Sequence, residues 1–282
     1  MALNTNNIIV YGVRRSGTSL MMQILSAIDN YSIDFNELQF NSENYKNLQE
    51  FYNEGKFVAG INKDNFLDYS LTKNKVIKFM GQGINNTPIK FIDDIKLIII
   101  MNRYWCDHVK SLKKLEKINF ESILISNEEI KKRIPESEYD NFFNEYYLYP
   151  DGLEYGIYMS DTLLNIFNRK FFDKIIIVEF NDLINNFDKI KNLLLQKKLI
   201  DISKGKKFIK ESTTKFKNST KSELKEFTPG FFDFLDLLYN KIKLGIIDNE
   251  LLDEISKWYP LMKEMVELRM KKIKDDYNII IK

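Results

Sequence analysis

Cysteine is nearly missing from this chain: Cys106 is the only one in 282 residues. No internal disulfide framework can form, and the composition suits a reducing compartment. Histidine is equally scarce, with His108 alone, so any step that needs an imidazole depends on one residue. Charge of one sign is lacking too. Lys and Arg number 42 against 40 Asp and Glu, a net charge of +2, which implies no general attraction to nucleic acid or to an anionic membrane. No apolar run approaches the roughly 20 residues of a membrane-spanning helix. The first apolar strand starts within about seven residues of the N-terminus, leaving no room for a secretory signal. The expectation is a soluble, cytoplasmic protein with no membrane span and no nucleic-acid partner.

What the chain does hold is core material. Hydrophobic residues make up 44% and aromatic residues 13%, enough at this length for one large α/β domain, with or without a helical appendage. The most informative stretch runs from Asn7 to Leu25. Asn7-Ile8-Ile9-Val10-Tyr11-Gly12 reads as a short apolar strand, Val13-Arg14-Arg15-Ser16-Gly17 as a tight loop, and Thr18 onward as a helix with Leu20, Met21, Ile24 and Leu25 on one face. A strand, loop and helix in that order make an anion cradle, because glycines let the backbone wrap an anion and the helix start offers N–H groups and a positive dipole end. The spacing Gly12-x4-Gly17-Thr18-Ser19 is that of the nucleotide P-loop, yet Thr18 stands where the Walker lysine belongs and the cations come earlier, at Arg14 and Arg15. A triphosphatase loop needs that lysine on the β- and γ-phosphates, so a different anion is expected here.

Val13-Arg14-Arg15-Ser16-Gly17-Thr18-Ser19-Leu20 resembles the 5′-phosphosulfate loop of sulfotransferases, in which a basic residue is followed by Ser or Thr, Gly, Thr, and Thr or Ser. Arginine at the basic position, Arg15, is similar to the tyrosylprotein and many bacterial members. The resemblance implies a three-layer, P-loop-like α/β/α sandwich around a central parallel sheet. It implies 3′-phosphoadenosine 5′-phosphosulfate (PAPS) as co-substrate, adenosine 3′,5′-bisphosphate as product, and no metal. Arg14, Arg15, Ser16, Gly17, Thr18 and Ser19 would be nucleotide-binding residues, and Arg15 would also act in the transfer.

Further motifs follow in the order the family keeps. Lys75-Val76-Ile77-Lys78-Phe79-Met80 reads as a second strand, and strand ends are where α/β sites gather. Lys78 matches the lysine of a Lys-Thr-His strand end, while Met80 stands at the position of the histidine base. Ile95-Lys96-Leu97-Ile98-Ile99-Ile100-Met101 has the continuous apolar character of a central parallel strand. Arg103 follows it, with Ser111 eight residues on; the resemblance assigns this pair to the nucleotide 3′-phosphate, where a guanidinium fork and a hydroxyl suit phosphate oxygens. His108 precedes Ser111 by three residues and reads as a helix-surface histidine. Phe180-Asn181-Asp182-Leu183 resembles the Tyr-Glu-Asp-Leu exit of a family strand, with Asp182 as a helix cap or loop organiser and a helix over Ile184–Leu199. Lys215-Phe216-Lys217 resembles a basic-aromatic-basic triplet that closes over the 3′-phosphate in bacterial relatives.

With no histidine at the base position, a carboxylate is expected to take the acceptor proton. Glu37, 22 positions beyond Arg15, has a separation similar to that of the tyrosylprotein sulfotransferase base; Glu50 and Glu54 stand behind it. The stretch 29–60 reads as loop and short helix. Aromatic residues between Phe142 and Tyr149 are core, or line an acceptor pocket. Amphipathic helices run from Pro229 to the end, with Phe231, Phe234, Leu235, Leu238, Leu251, Ile255, Trp258, Met262, Met265, Val266 and Leu268 as the apolar positions. Two domains are therefore expected: residues 1–220 as the nucleotide-binding domain and 221–282 as a helical extension that caps the acceptor site, forms a homodimer or merely packs. The function expected is sulfuryl transfer to a hydroxyl or amine on a small molecule, glycan or peptide. A P-loop kinase and a nucleotide-binding protein without transferase activity are the alternatives.

Overall fold

A computed structural model of the chain describes residues 6–29, 58–59, 74, 76–80, 95–114, 137, 151–169, 172–209 and 219–277. Its centre is a five-stranded, wholly parallel sheet built from β1 (Asn7–Gly12), β2 (Val58–Ala59), β3 (Val76–Met80), β4 (Ile95–Asn102) and β5 (Ile175–Glu179), in the order β2-β3-β1-β4-β5. The described helices are α1 (Thr18–Leu25), α2 (105–114), α3 (Leu153–Arg169), α4 (Phe180–Asn185), α5 (Phe187–Lys198), α6 (Phe231–Leu244) and α7 (Asn249–Tyr277). The fold is α/β with a central parallel sheet, as the sequence implies.

The chain divides into two compact units. One comprises Met1–Arg103, Asp161–Lys215 and Ile242–Gly245; the other comprises Tyr104–Ser160, Phe216–Lys241 and Ile246–Lys282. Where the sequence implies one boundary after residue 220, the chain passes between units several times, because α2 and the first half of α3 belong with the C-terminal helices.

In the first unit, β1 and β4 are buried almost throughout, which is why they read as continuous apolar runs. Alternation along the strands sorts the two faces. Ile8 and Val10 of β1, Val76 of β3, Leu97, Ile99 and Met101 of β4, and Ile176 and Val178 of β5 form one core with Leu20, Met21, Ile24 and Leu25 of α1 and Leu183, Phe187, Ile190 and Leu194 of α4 and α5. Ile9 and Tyr11 point the other way, where Thr162 of α3 donates a hydrogen bond of 2.6 Å to the Tyr11 phenol. Burial pushes the Tyr11 pKa up. Register pairs Val10 with Lys78, Gly12 with Met80, Tyr11 with Ile100 and Asn102 with Glu179, so the strands end together at one edge.

Two local expectations change. β2 lies within the stretch that reads as loop and short helix, since two residues carry no legible period. The single helix expected after Leu183 is two helices, broken at Asn186, whose backbone is not helical (φ −129°, ψ 43°). Asp182 is no N-cap: it lies in the first turn of α4 and accepts hydrogen bonds from Asn186 Nδ2 at 3.0 Å and Lys189 Nζ at 2.7 Å. It organises the break.

The second unit has an aromatic core. Phe231 and Phe234 of α6 pack on Trp258 of α7, the latter pair stacked at 5.7 Å between centroids. Trp105 of α2 donates to Asp236 at 2.7 Å. Most of the C-terminal positions expected to be apolar and inward are buried, but Leu268 is 55% exposed. His108 is not on the surface. It is fully buried, with Nε2 4.0 Å from Glu154 Oε1 and its ring 5.8 Å from Tyr155. Six other residues of α2, from Trp105 to Leu112, are buried with it, so the helix has almost no solvent face at that turn.

Candidate functional site

The site is built where β1 hands over to α1, between β3 and β4. In an open parallel sheet the loops beyond the strand ends form a crevice where neighbouring connections diverge, and β1 occupies that position here. Gly12 ends the strand. A Cβ there would sit 2.5 Å from Ser16 Oγ and 3.1 Å from the Met101 carbonyl oxygen, so the backbone must be bare for the loop to fold back over it. Ser16 N–H closes the turn on the Val13 carbonyl at 3.2 Å. Gly17 is the N-cap of α1, at φ +101°, and supplies no side-chain cap to the helix start.

Hydroxyls converge on this turn. Ser16 is fully buried, and its Oγ has no hydrogen-bond partner among the described residues. A buried hydroxyl without a partner costs about 1–3 kcal/mol, a penalty that an anion in the loop would remove. Thr18 is buried and Ser19 half-buried. Lys78, half-buried near the end of β3, donates from Nζ to Ser19 Oγ at 2.9 Å. Burial, reinforced by the nearby Arg15 guanidinium, brings the Lys78 pKa down to about 8. The side chain is thus a strand-borne cation whose ammonium meets a hydroxyl in the first turn of α1.

The arginines differ from one another. Arg14 is half-buried and Arg15 exposed. Arg103 is only 5% exposed. Its Nη1 donates to the Arg15 carbonyl at 2.9 Å, and its guanidinium lies 4.8 Å from the centre of the Phe180 ring. Phe180 in turn covers Gly17, where a Cβ would meet the ring at 2.3 Å. The first unit thus brings together Arg14, Arg15, Ser16, Gly17, Thr18, Ser19, Lys78 and Arg103.

Ser111 belongs to the second unit, buried on α2. In that unit Asp107 Oδ1 accepts the Ser219 N–H at 2.9 Å, Lys110 pairs with Glu223, and Lys221 pairs with Asp236, which ties the segment from Ser219 to Glu223 to α2 and α6. Glu37, Glu50, Glu54, the aromatic stretch 142–149, and Lys215 and Lys217 lie outside the described residues.

Reasoning from sequence missed Phe180 as the cover of Gly17, Arg103 as a partner of the loop backbone, and Glu154 beside His108. The first had a partial signal in the aromatic of the strand exit. The other two had none. Among the described residues no group of three or more His, Cys, Asp or Glu is arranged to hold a metal ion, and no helix is long and apolar enough to cross a membrane.

No protein-family profile matches the chain, and no curated protein matches it. Among solved structures it is similar to mouse sulfotransferase SULT7A1 complexed with PAP, at 11% identity and a TM-score of 0.44 over 90% of each chain. It is also similar to retinol dehydratase in complex with androsterone and inactive cofactor PAP, at 10% identity and a TM-score of 0.34 over 100% of this chain and 83% of that one. Likeness of this degree transfers no residue role.

Proposed function

We propose that the chain is a PAPS-dependent sulfotransferase, which moves a sulfuryl group from PAPS to a hydroxyl or amine and releases adenosine 3′,5′-bisphosphate. The observation that carries this reading is the approach of Lys78 Nζ to Ser19 Oγ, at 2.9 Å, beside a loop whose buried Ser16 hydroxyl has no partner among the described residues. A cation delivered from the neighbouring strand takes the task that a triphosphatase loop gives to its own lysine. The order of motifs along the sequence supports the same reading.

In this proposal the N–H groups at the start of α1, with the Thr18 and Ser19 hydroxyls, hold the 5′-phosphate. Lys78 and Arg15 stabilise charge on the bridging and sulfuryl oxygens during in-line displacement. The acceptor atom attacks sulfur, the bond from sulfur to the phosphate oxygen breaks, and its electron pair stays on the 5′-phosphate. The acceptor proton goes to a carboxylate, Glu37 first. Arg103 and, by its spacing in the sequence, Ser111 take the 3′-phosphate, with Lys215 and Lys217 as further cations. The acceptor class stays open to carbohydrate, lipid, small alcohol, amine or peptide tyrosine, because loops that no motif covers decide it. The cytoplasm is the proposed compartment.

Calorimetric titration with adenosine 3′,5′-bisphosphate, 5′-AMP and Mg²⁺–ATP tests the donor half. Preference for the bisphosphate is expected, weakened in Lys78→Met; equal indifference to all three overturns the reading, and preference for Mg²⁺–ATP turns it to a kinase. One observation favours a second reading: Met80 stands where a histidine base would. If the bisphosphate binds but labelled PAPS is not consumed with any acceptor class, the chain is a nucleotide-binding protein without transferase activity. Where turnover is found, an unchanged rate in Glu37→Gln removes Glu37 as the base.

A further inference from the structure

The turn from Val13 to Ser16 has an awkward third residue. A four-residue turn with positive φ at that position is ordinarily built with glycine or asparagine there. Here it is Arg15, at φ +67°. A non-glycine residue in the left-handed region persists only when its surroundings over-determine it. Within those surroundings one buried side chain reaches the Arg15 backbone itself. The Arg103 guanidinium, itself buried, grips the Arg15 carbonyl at 2.9 Å and lies against Phe180, the ring that covers Gly17. A single planar group thus bears on the loop twice, on the carbonyl of Arg15 directly and on Gly17, two residues further on, through the ring. The guanidinium is a planar fork, so the N–H groups it does not give to that carbonyl stay oriented by the same plane.

We propose that Arg103 is a positioning residue for the loop: it holds Arg15 in its left-handed conformation and so sets the curvature of the cradle that receives a 5′-phosphate, apart from any contact of its own with a 3′-phosphate. The inference deepens the donor-binding reading and rests on it only for the nucleotide readout below. It makes a distinction that a pure phosphate ligand does not. If Arg103 only bound the 3′-phosphate, its loss would leave a nucleotide without that phosphate unaffected. If it shapes the loop, its loss weakens both.

Two measurements on the full chain decide this. The first needs no ligand: hydrogen exchange of the Ser16 amide, which closes the turn on the Val13 carbonyl, followed by NMR in wild type, Arg103→Ala and Phe180→Leu. Arg103→Ala is expected to speed exchange at Ser16 by about tenfold, in line with the cost of a left-handed non-glycine residue, while amides of Ile99 and Ile100 in β4 keep their protection. Phe180→Leu, which removes the ring and keeps the bulk, is expected to give a smaller rise at the same amide. In Arg15→Asn, where the side chain tolerates the conformation, adding Arg103→Ala is expected to change Ser16 exchange less than about threefold. The second measurement is affinity for 5′-AMP, expected to fall in Arg103→Ala, because the nucleotide must then re-form the curvature of the loop when it binds.

Unchanged exchange at Ser16 in Arg103→Ala overturns the proposal, as does a loss of bisphosphate affinity with 5′-AMP affinity intact. If Arg103→Ala loosens β4 as well, Arg103→Lys decides: recovered protection in β4 with Ser16 still fast supports the proposal, and recovery of both to the wild-type level overturns it, because a lysine lacks the planar fork. A wild type that binds neither nucleotide would sink the donor reading, and the Ser16 exchange would still decide this one.

Discussion

Lys78 offers the sharpest test of the site, because its charge changes within an accessible range of pH. Burial, then the Arg15 guanidinium, bring its pKa to about 8, from 10.5 for an ordinary lysine. In the proposed site the binding-competent form is the cation, and apparent affinity would scale with the fraction of protein that carries it. That fraction is about 90% at pH 7 and about 10% at pH 9. Affinity for adenosine 3′,5′-bisphosphate should therefore fall about tenfold over those two units, or about 1.4 kcal/mol. The nucleotide cannot mimic the effect, since phosphate monoesters lose their second proton near pH 6. Nor does Cys106, whose thiol burial pushes up to about 11. At pH 8.5 binding should take up about 0.7 of a proton as the anion restores the lysine's charge, which calorimetry in buffers of differing ionisation enthalpy reads directly. Stability moves the opposite way. The folded pKa is depressed, so between about 8 and 10.5 the unfolded chain binds a proton that the folded chain does not, and raising pH through that window stabilises the fold. Lys78→Met should bind more weakly at pH 7 and show no slope. An affinity that stays flat from pH 7 to 9 in wild type, or a slope that survives in Lys78→Met, would refute the assignment of Lys78 as the anion's cation.

Two further predictions concern what holds the site in place. Gly205 lies under α1, where a Cβ would stand 2.7 Å from the Ile24 carbonyl oxygen and 2.8 Å from Ile24 Cα. Backbone cannot swing aside as a side chain does, so Gly205→Ala should lower stability by about 2–3 kcal/mol, read as a lower urea midpoint with an unchanged slope; an unaltered midpoint would show that the Ser203–Phe208 turn is free to shift. On the other face, Thr162→Val removes the donor to the buried Tyr11 phenol and should cost about 1–3 kcal/mol. Adding Tyr11→Phe should recover part of that loss, with a coupling of at least about 0.5 kcal/mol in a double-mutant cycle, whereas strict additivity would mean that the two hydroxyls do not depend on each other.

The parts of the molecule that sequence made legible share one property: their signal is local. β1 and β4 announce themselves as unbroken apolar runs because a parallel strand covered on both faces has no polar side to show. The loop is legible because Gly12 and Gly17 sit where a bare backbone is needed, and Lys78 because a strand end is a privileged address. What escaped depends on partners far off in the chain. Phe180 covers Gly17 from 163 positions away, and neither residue's neighbours disclose the other. His108 has the neighbours of a surface histidine, yet Glu154, Tyr155 and the packing of α2 bury it. Arg103 is the instructive case. The residue type, the strand it follows and its distance from Ser111 marked it as functional, but spacing names a residue without naming its partner. A guanidinium carries five donors, and one of them goes to the Arg15 carbonyl, a backbone atom that no motif could have nominated. Arg15 itself breaks the local rule that a left-handed turn position prefers glycine or asparagine. Such local violations are concentrated at functional sites, and here the violation and the residue that sustains it were both visible as letters while the bond between them was not.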